Sequence, residues 1–283
     1  MIINVDVIDM EFKIFDVHQH FGSLEFSGSS EIGSGQIDAI QTDYKRRKSI
    51  MDKYGISGGC IMPSLQYERP NGQKDTEYIN NSISQYKREK EEVFPIALGT
   101  VEPLHGEELG VREIDRMRDE LKLDGVVWHH RFQGTHVADS RMKAFLKRME
   151  AYNMPAVIHI FSESNLEAPI ELETLALLFP NIKFLALDAL SSPTNANYIM
   201  GICKRVDNIY IDTASLFPVG RLIDKFISDV GVDRVIFGTD LYLNPLLYNY
   251  PMALGEIENS EVLSDADRDK IYRKNVLALF ERS

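Results

Sequence analysis

The chain has 283 residues, 44% of them hydrophobic and 26% charged, which is enough apolar material for one large core. A net charge of −12 argues against a nucleic-acid backbone as partner, while leaving room for a small anion in a pocket of opposite sign. The two cysteines, Cys60 and Cys203, are far apart and argue against a disulfide framework. No stretch approaches the ~20 apolar residues of a membrane span, and MIINVDVIDMEFK lacks the basic-then-apolar order of a signal peptide. The expectation is a soluble cytoplasmic protein.

Eight short apolar runs read as strands: 12–20, 57–64, 94–103, 123–132, 155–161, 183–190, 209–215 and 234–240. Several are continuous apolar runs, as parallel strands buried on both faces require. Amphipathic segments lie between them. Met142, Phe145, Leu146 and Met149 repeat at i, i+3, i+4, i+7, as do Leu172, Leu175, Ala176 and Phe179. Ile199, Ile202, Cys203 and Val206 do the same, Ile79, Ile83 and Tyr86 show a shorter version, and Thr76 and Asp139 are candidate N-caps. Strand and helix alternate at roughly 35 residues per unit, close to a βα unit. This predicts an α/β fold, a (β/α)₈ TIM barrel, as a single domain over 1–283. An open doubly wound sheet is the rival, but no GxGxxG follows an early strand. Residues 22–41, 65–75 and 241–263 read as long connections on the face where barrel active sites form, the first rich in Gly and Ser.

Side chains alternate along a strand, so His18 and His20 point to one side of the first strand. His159 lies near the end of the fifth strand and Asp240 closes the eighth. Each alone has a plain structural explanation. Together, three imidazoles and a carboxylate delivered to one mouth suit one divalent metal, Zn²⁺ first, with Fe²⁺, Mn²⁺ or Co²⁺ as alternatives. His129 and Arg131 share one side of the fourth strand, where they could clamp a carboxylate. Glu102 and Asp212 also end strands, and Asp212 could orient a metal-bound histidine through its other N–H. His105 reads as a helix start and His136 as a loop residue.

Six segments carry a resemblance: FDVHQHFG, GVVWHHRFQG, PAVIH, FPNIKFLALDAL, RVIFGTD and NVLALF. Across about Phe15 to Phe280 they resemble the amidohydrolase superfamily, in the branch that holds aromatic-acid decarboxylases and lactonases. The resemblance implies a barrel, a metal at His18, His20 and His159, and Asp240 as ligand or as base toward water. Two departures stand out. The family's sixth strand ends in a histidine where this chain has Asp188. Val127 occupies the place of the lysine that bridges two metals in dinuclear relatives, which implies a single metal here.

The main expectation is a metal-dependent hydrolase acting on a small acidic lactone, ester or amide through an activated water, with Asp240 and Asp188 as catalytic groups. The first alternative is non-oxidative decarboxylation of an aromatic or unsaturated carboxylic acid. The second is a barrel that binds a ligand without catalysis. The expected partner is a small acidic substrate, with no nucleic acid and no membrane; homo-oligomers are compatible with the sequence.

Overall fold

A computed structural model describes residues 13–22, 36–65, 69–218, 220–244, 246–247 and 250–280. Eight parallel strands run in sequence order around the sheet, β1 (Phe15–Phe21), β2 (Gly58–Pro63), β3 (Ile96–Gly99), β4 (Gly125–Trp128), β5 (Ala156–His159), β6 (Phe184–Leu187), β7 (Ile209–Asp212) and β8 (Val235–Ile236). Helices fill the crossovers, and the sheet curls into a nearly closed TIM barrel. All eight expected strands exist but most are shorter than their apolar runs, because the last residues of each run leave the ladder to form the mouth.

The seam of the barrel is irregular. Between β1 and the eighth-strand segment, Val17 N donates to Phe237 O at 2.9 Å, His20 N to Leu241 O at 2.9 Å, and Leu241 N to His18 O at 3.3 Å. The β1–β2 register also slips between Asp16 and Gln19, beside His18. Buried Arg47, on the helix Gln36–Lys53, reinforces this corner. Its guanidinium donates to His20 O at 2.8 Å, to Leu241 O at 3.3 Å and to Gln19 Oε1 at 3.2 Å, while Asp43 takes its Nε at 2.8 Å.

The helical periodicities mark the faces that pack on the barrel. Met142, Phe145, Leu146 and Met149 are buried on the helix Met142–Ala151, and Leu172, Leu175 and Ala176 on Pro169–Leu178. Each such Leu, Met or Phe side chain contributes about 1.5–3 kcal/mol of hydrophobic stabilisation. Three expectations change. Thr76 lies inside the helix Gln73–Glu89 and not at its cap; the turn ahead of it is held by Asp75, whose carboxylate accepts from Asn71 N at 2.8 Å. Of the connection 22–41, residues 23–35 lie outside the described residues and 36–41 are helical; of 65–75, residues 66–68 lie outside and 73–75 are helical. The segment 241–263 holds a small hairpin, β9 (Tyr242–Leu243) with β10 (Leu246–Leu247), and the helix Tyr250–Glu258. Among the described residues no helix is long and apolar enough to cross a membrane.

Candidate metal centre

Three histidines converge at the C-terminal ends of the strands. His18, His20 and His159 are buried, and each offers a nitrogen within 4.8 Å of the other two. Their outer nitrogens are all engaged. His20 Nδ1 lies 2.8 Å from Pro63 O and His159 Nδ1 lies 2.9 Å from Trp128 O. A carbonyl only accepts, so both rings carry their hydrogen on Nδ1 and present a bare Nε2. His18 Nδ1 donates to Asp212 Oδ2 at 2.6 Å. His18 Nε2 and His20 Nε2 then face each other at 2.8 Å, and His159 Nε2 is buried without a partner. The bare Nε2 atoms of His20 and His159 and the His18 Nε2 thus face one point, where a cation would take the place of a proton.

The surrounding acids supply the complementary field. Asp240 Oδ1 lies 3.4 Å from both His18 Nε2 and His20 Nε2, and Asp188 Oδ2 lies 4.0 Å from His159 Nε2. Burial works to lower His18, but the carboxylates of Asp212, Asp240 and Asp188 overcome it and raise the ring to about 10. Burial and neighbouring imidazoles hold His20 and His159 well below the ordinary histidine value. Burial pushes Asp188 up to about 6, with the nearby Asp212 adding to the rise and His18 opposing it. Asp188 Oδ1 has no hydrogen-bond partner.

Backbone strain accompanies this placement. Asp188, Ser215 and Asp240 have φ of 59°, 49° and 56°, so the chain after β6, β7 and β8 turns through the left-handed region on a non-glycine residue. Such conformations cost about 1–3 kcal/mol each and cluster at functional sites. Asp212 ties two of the elements together, since its other oxygen accepts from Asp188 N at 2.9 Å. Gly238 leaves room for it: a Cβ there would lie 2.8 Å from Asp212 Oδ2 and 3.1 Å from His18 Cβ.

One wall of the centre is flat. His129 stacks on His159 with ring centroids 4.1 Å apart and planes 4° from parallel, and Phe161 lies parallel to His129 within 9°. The Arg131 guanidinium rests on the Phe161 ring, 4.1 Å from its centroid. The shared-strand-face argument for His129 and Arg131 does not hold. The ladder of β4 ends at Trp128, His129 caps the short helix His130–Gln133, and Gln133 Oε1 accepts from His129 N at 2.9 Å. What brings the pair together is Glu167, a residue sequence reasoning missed. Its buried carboxylate engages His129 Nδ1 and accepts from Arg131 N at 3.2 Å, with Arg131 Nε at 3.5 Å. It ends the short 3₁₀ turn Asn165–Glu167 after β5, where the sequence has no periodic pattern, so no local signal marks it. Glu102 lies apart from this cluster, paired with Arg69 at 3.0 Å; His105 ends a 3₁₀ turn at Pro103–His105, and exposed His136 pairs with Glu171.

The amidohydrolase family profile matches residues 80–282. The chain belongs to the amidohydrolase family. No curated protein matches the chain in sequence. Among solved structures, 4-oxalomesaconate hydratase from Rhodopseudomonas palustris is 16% identical, with a TM-score of 0.70 over 94% of this chain and 95% of that one. A 5-carboxyvanillate decarboxylase from Sphingomonas paucimobilis is 15% identical, with a TM-score of 0.66 over 94% and 98%. The corresponding enzyme from Novosphingobium aromaticivorans, solved with manganese and 4-hydroxy-3-methoxy-5-nitrobenzoic acid, is 14% identical, with a TM-score of 0.67 over 94% and 95%. At these identities the likeness concerns the fold.

In this amidohydrolase barrel the donors fit a divalent cation. The orphaned His159 Nε2 and the opposed Nε2 atoms of His18 and His20 are the direct sign, and Asp240 Oδ1 lies 3.4 Å from the latter two. Asp212→Asn should lower affinity for Zn²⁺ by about 10–100-fold, because the amide no longer takes the His18 Nδ1 hydrogen as a charged acceptor. Competition against a chromophoric chelator measures this, and unchanged affinity would mean that His18 is oriented by packing alone.

Proposed function

We propose that this amidohydrolase is a metal-dependent decarboxylase of a small planar carboxylic acid, aromatic or unsaturated, working with one divalent cation, Zn²⁺ first by its imidazole-rich donors. The observation that carries the reading is the flat wall beside the three-histidine centre: parallel His129 and Phe161 rings with the Arg131 guanidinium laid on Phe161. A planar conjugated acid can pack against the ring edges and the open side of the guanidinium, and a saturated lactone or ester gains little from them. The fold relatives named above as decarboxylases act on an acid of this shape, which supports decarboxylation over the hydrolysis expected from sequence.

A bound cation would supply Lewis acidity to a substrate oxygen. The chain's own groups do the rest. His18, His20, His159 and Asp240 would hold the cation. Arg131 takes a polar group of the substrate at the end away from the cation, and the wall fixes its plane. When the bond to the departing carboxylate breaks, CO₂ leaves and the electron pair stays on carbon. Asp188, beside the centre with an unpartnered oxygen, is placed to hand that carbon a proton. Hydrolysis has one observation in its favour: Asp240 stands 3.4 Å from two of the Nε2 atoms, where a carboxylate could take a proton from water. Both reactions are separated by one assay. Protein loaded with Zn²⁺ or Mn²⁺ should release labelled CO₂ from a member of a panel of carboxyl-labelled aromatic and unsaturated acids. Cleavage of a lactone, ester or amide with no CO₂ from any acid would replace this reading with the hydrolytic one.

A further inference from the structure

Resting on the substrate site just described, we propose that Glu167 fixes His129 as a hydrogen-bond acceptor beside the Arg131 donor, so that this edge selects substrates carrying a hydroxyl away from the metal-bound end. The two side chains look like a cationic pair in the sequence, but their surroundings make them unlike. Glu167 is fully buried, and its Oε1 accepts from Arg131 N at 3.2 Å while also engaging His129 Nδ1. Arg131 Nε stands 3.5 Å from the other oxygen. The oxygen that faces the imidazole, Oε1, already accepts from a backbone N–H, so the hydrogen between it and the ring belongs to His129 Nδ1. The remaining nitrogen, Nε2, is a lone pair.

Two further contacts agree. Arg131 Nη2, which can only donate, points at His129 Nε2 from 3.5 Å, a distance too long for a strong bond. The parallel stack on His159 fixes the imidazole plane, and the Glu167 contact at Nδ1 fixes its orientation within that plane, with Nε2 toward Arg131. A donor and an acceptor therefore sit side by side. A carboxylate at this edge meets Arg131 alone and is repelled by the Nε2 lone pair. A hydroxyl satisfies both, accepting from Arg131 and donating to His129. A methoxy group can accept but leaves His129 unmet, and an unmet buried acceptor weakens binding by about 10-fold or more. Glu167 acts through His129 and is a positioning residue.

Binding to the Zn²⁺-loaded protein tests this without any turnover. Calorimetry would compare benzoate, 3- and 4-hydroxybenzoate and their methoxy counterparts. At least one hydroxybenzoate should bind about 10-fold tighter than its methoxy partner. Glu167→Gln, whose amide can donate to Nδ1 and move the ring hydrogen to Nε2, should erase or invert that preference while leaving zinc content unchanged. Equal affinity within each pair, or no binding by any benzoate, overturns the proposal. Nitrogen-15 spectra of histidine-labelled protein give a second readout that needs no folded Glu167 variant. The His129 signals, assigned by their loss in His129→Asn, should show an unprotonated Nε2 and a protonated Nδ1; the reverse pattern overturns the proposal. Hydroxyl preference together with an absence of CO₂ release would retain this inference and discard the decarboxylase reading.

Discussion

Replacing His159 by alanine is expected to take metal content from near one equivalent to background. His159 is the only ligand that β5 supplies, and its Nε2 is buried without any other partner. What remains, two imidazoles two residues apart on β1 and the Asp240 carboxylate beside them, lies on the seam side alone and leaves the β5 side of a cation open. The change also removes the ring on which His129 stacks, so substrate affinity should fall together with metal. Elemental analysis after dialysis against Zn²⁺, with circular dichroism to establish folding, measures the outcome. His136→Ala is the control, since that histidine is exposed and pairs only with Glu171. A folded His159→Ala protein that keeps one equivalent would move the metal site elsewhere.

Asp188→Asn should give the opposite pattern, with metal retained and turnover lost by about 10²–10⁴-fold. The amide has nearly the same shape, and Asp212 would still accept from the backbone N–H of residue 188. It cannot give or take a proton at neutral pH. The carboxylate stands 4.0 Å from His159 Nε2, farther out than the 3.4 Å separating Asp240 from its two histidines. That difference fits the proposed division, with Asp240 toward the cation and Asp188 toward the substrate. A loss of metal in Asp188→Asn would reverse the assignment, and full activity would make Asp188 structural. Asp188→His then asks whether the residue typical of the sixth strand can serve in its place.

The barrel and the histidine set were legible for the same reason. Strand-end positions follow from where apolar runs stop, and in a parallel barrel all strand ends share one mouth, so His18, His20, His159 and Asp240 could be placed together with no knowledge of distance. Asp212 and Asp188 were legible as strand ends, though not the single carboxylate that joins them. His129 and Arg131 were found from an argument about strand faces that the short β4 does not support. Glu167 was out of reach because its importance depends on a loop fold that brings it against a residue 38 positions earlier. No periodicity encodes a contact between two loops.

The seam between the first and last strands gives the centre a second consequence. A barrel is a hoop that must be joined, and here the join draws together groups as far as 223 positions apart, as Thr239 and Asp16 are. Contacts of that separation form late and set the pace of assembly. The ladder at the join is sparse, and its three hydrogen bonds run between the segments that carry His18, His20 and Asp240. A cation gripped by both edges and by β5 would act as a clasp. Because the clasp binds only the joined hoop, each tenfold rise in metal above its dissociation constant adds about 1.4 kcal/mol against opening. The same ion that readies a substrate for reaction would thus decide how long the ring stays shut.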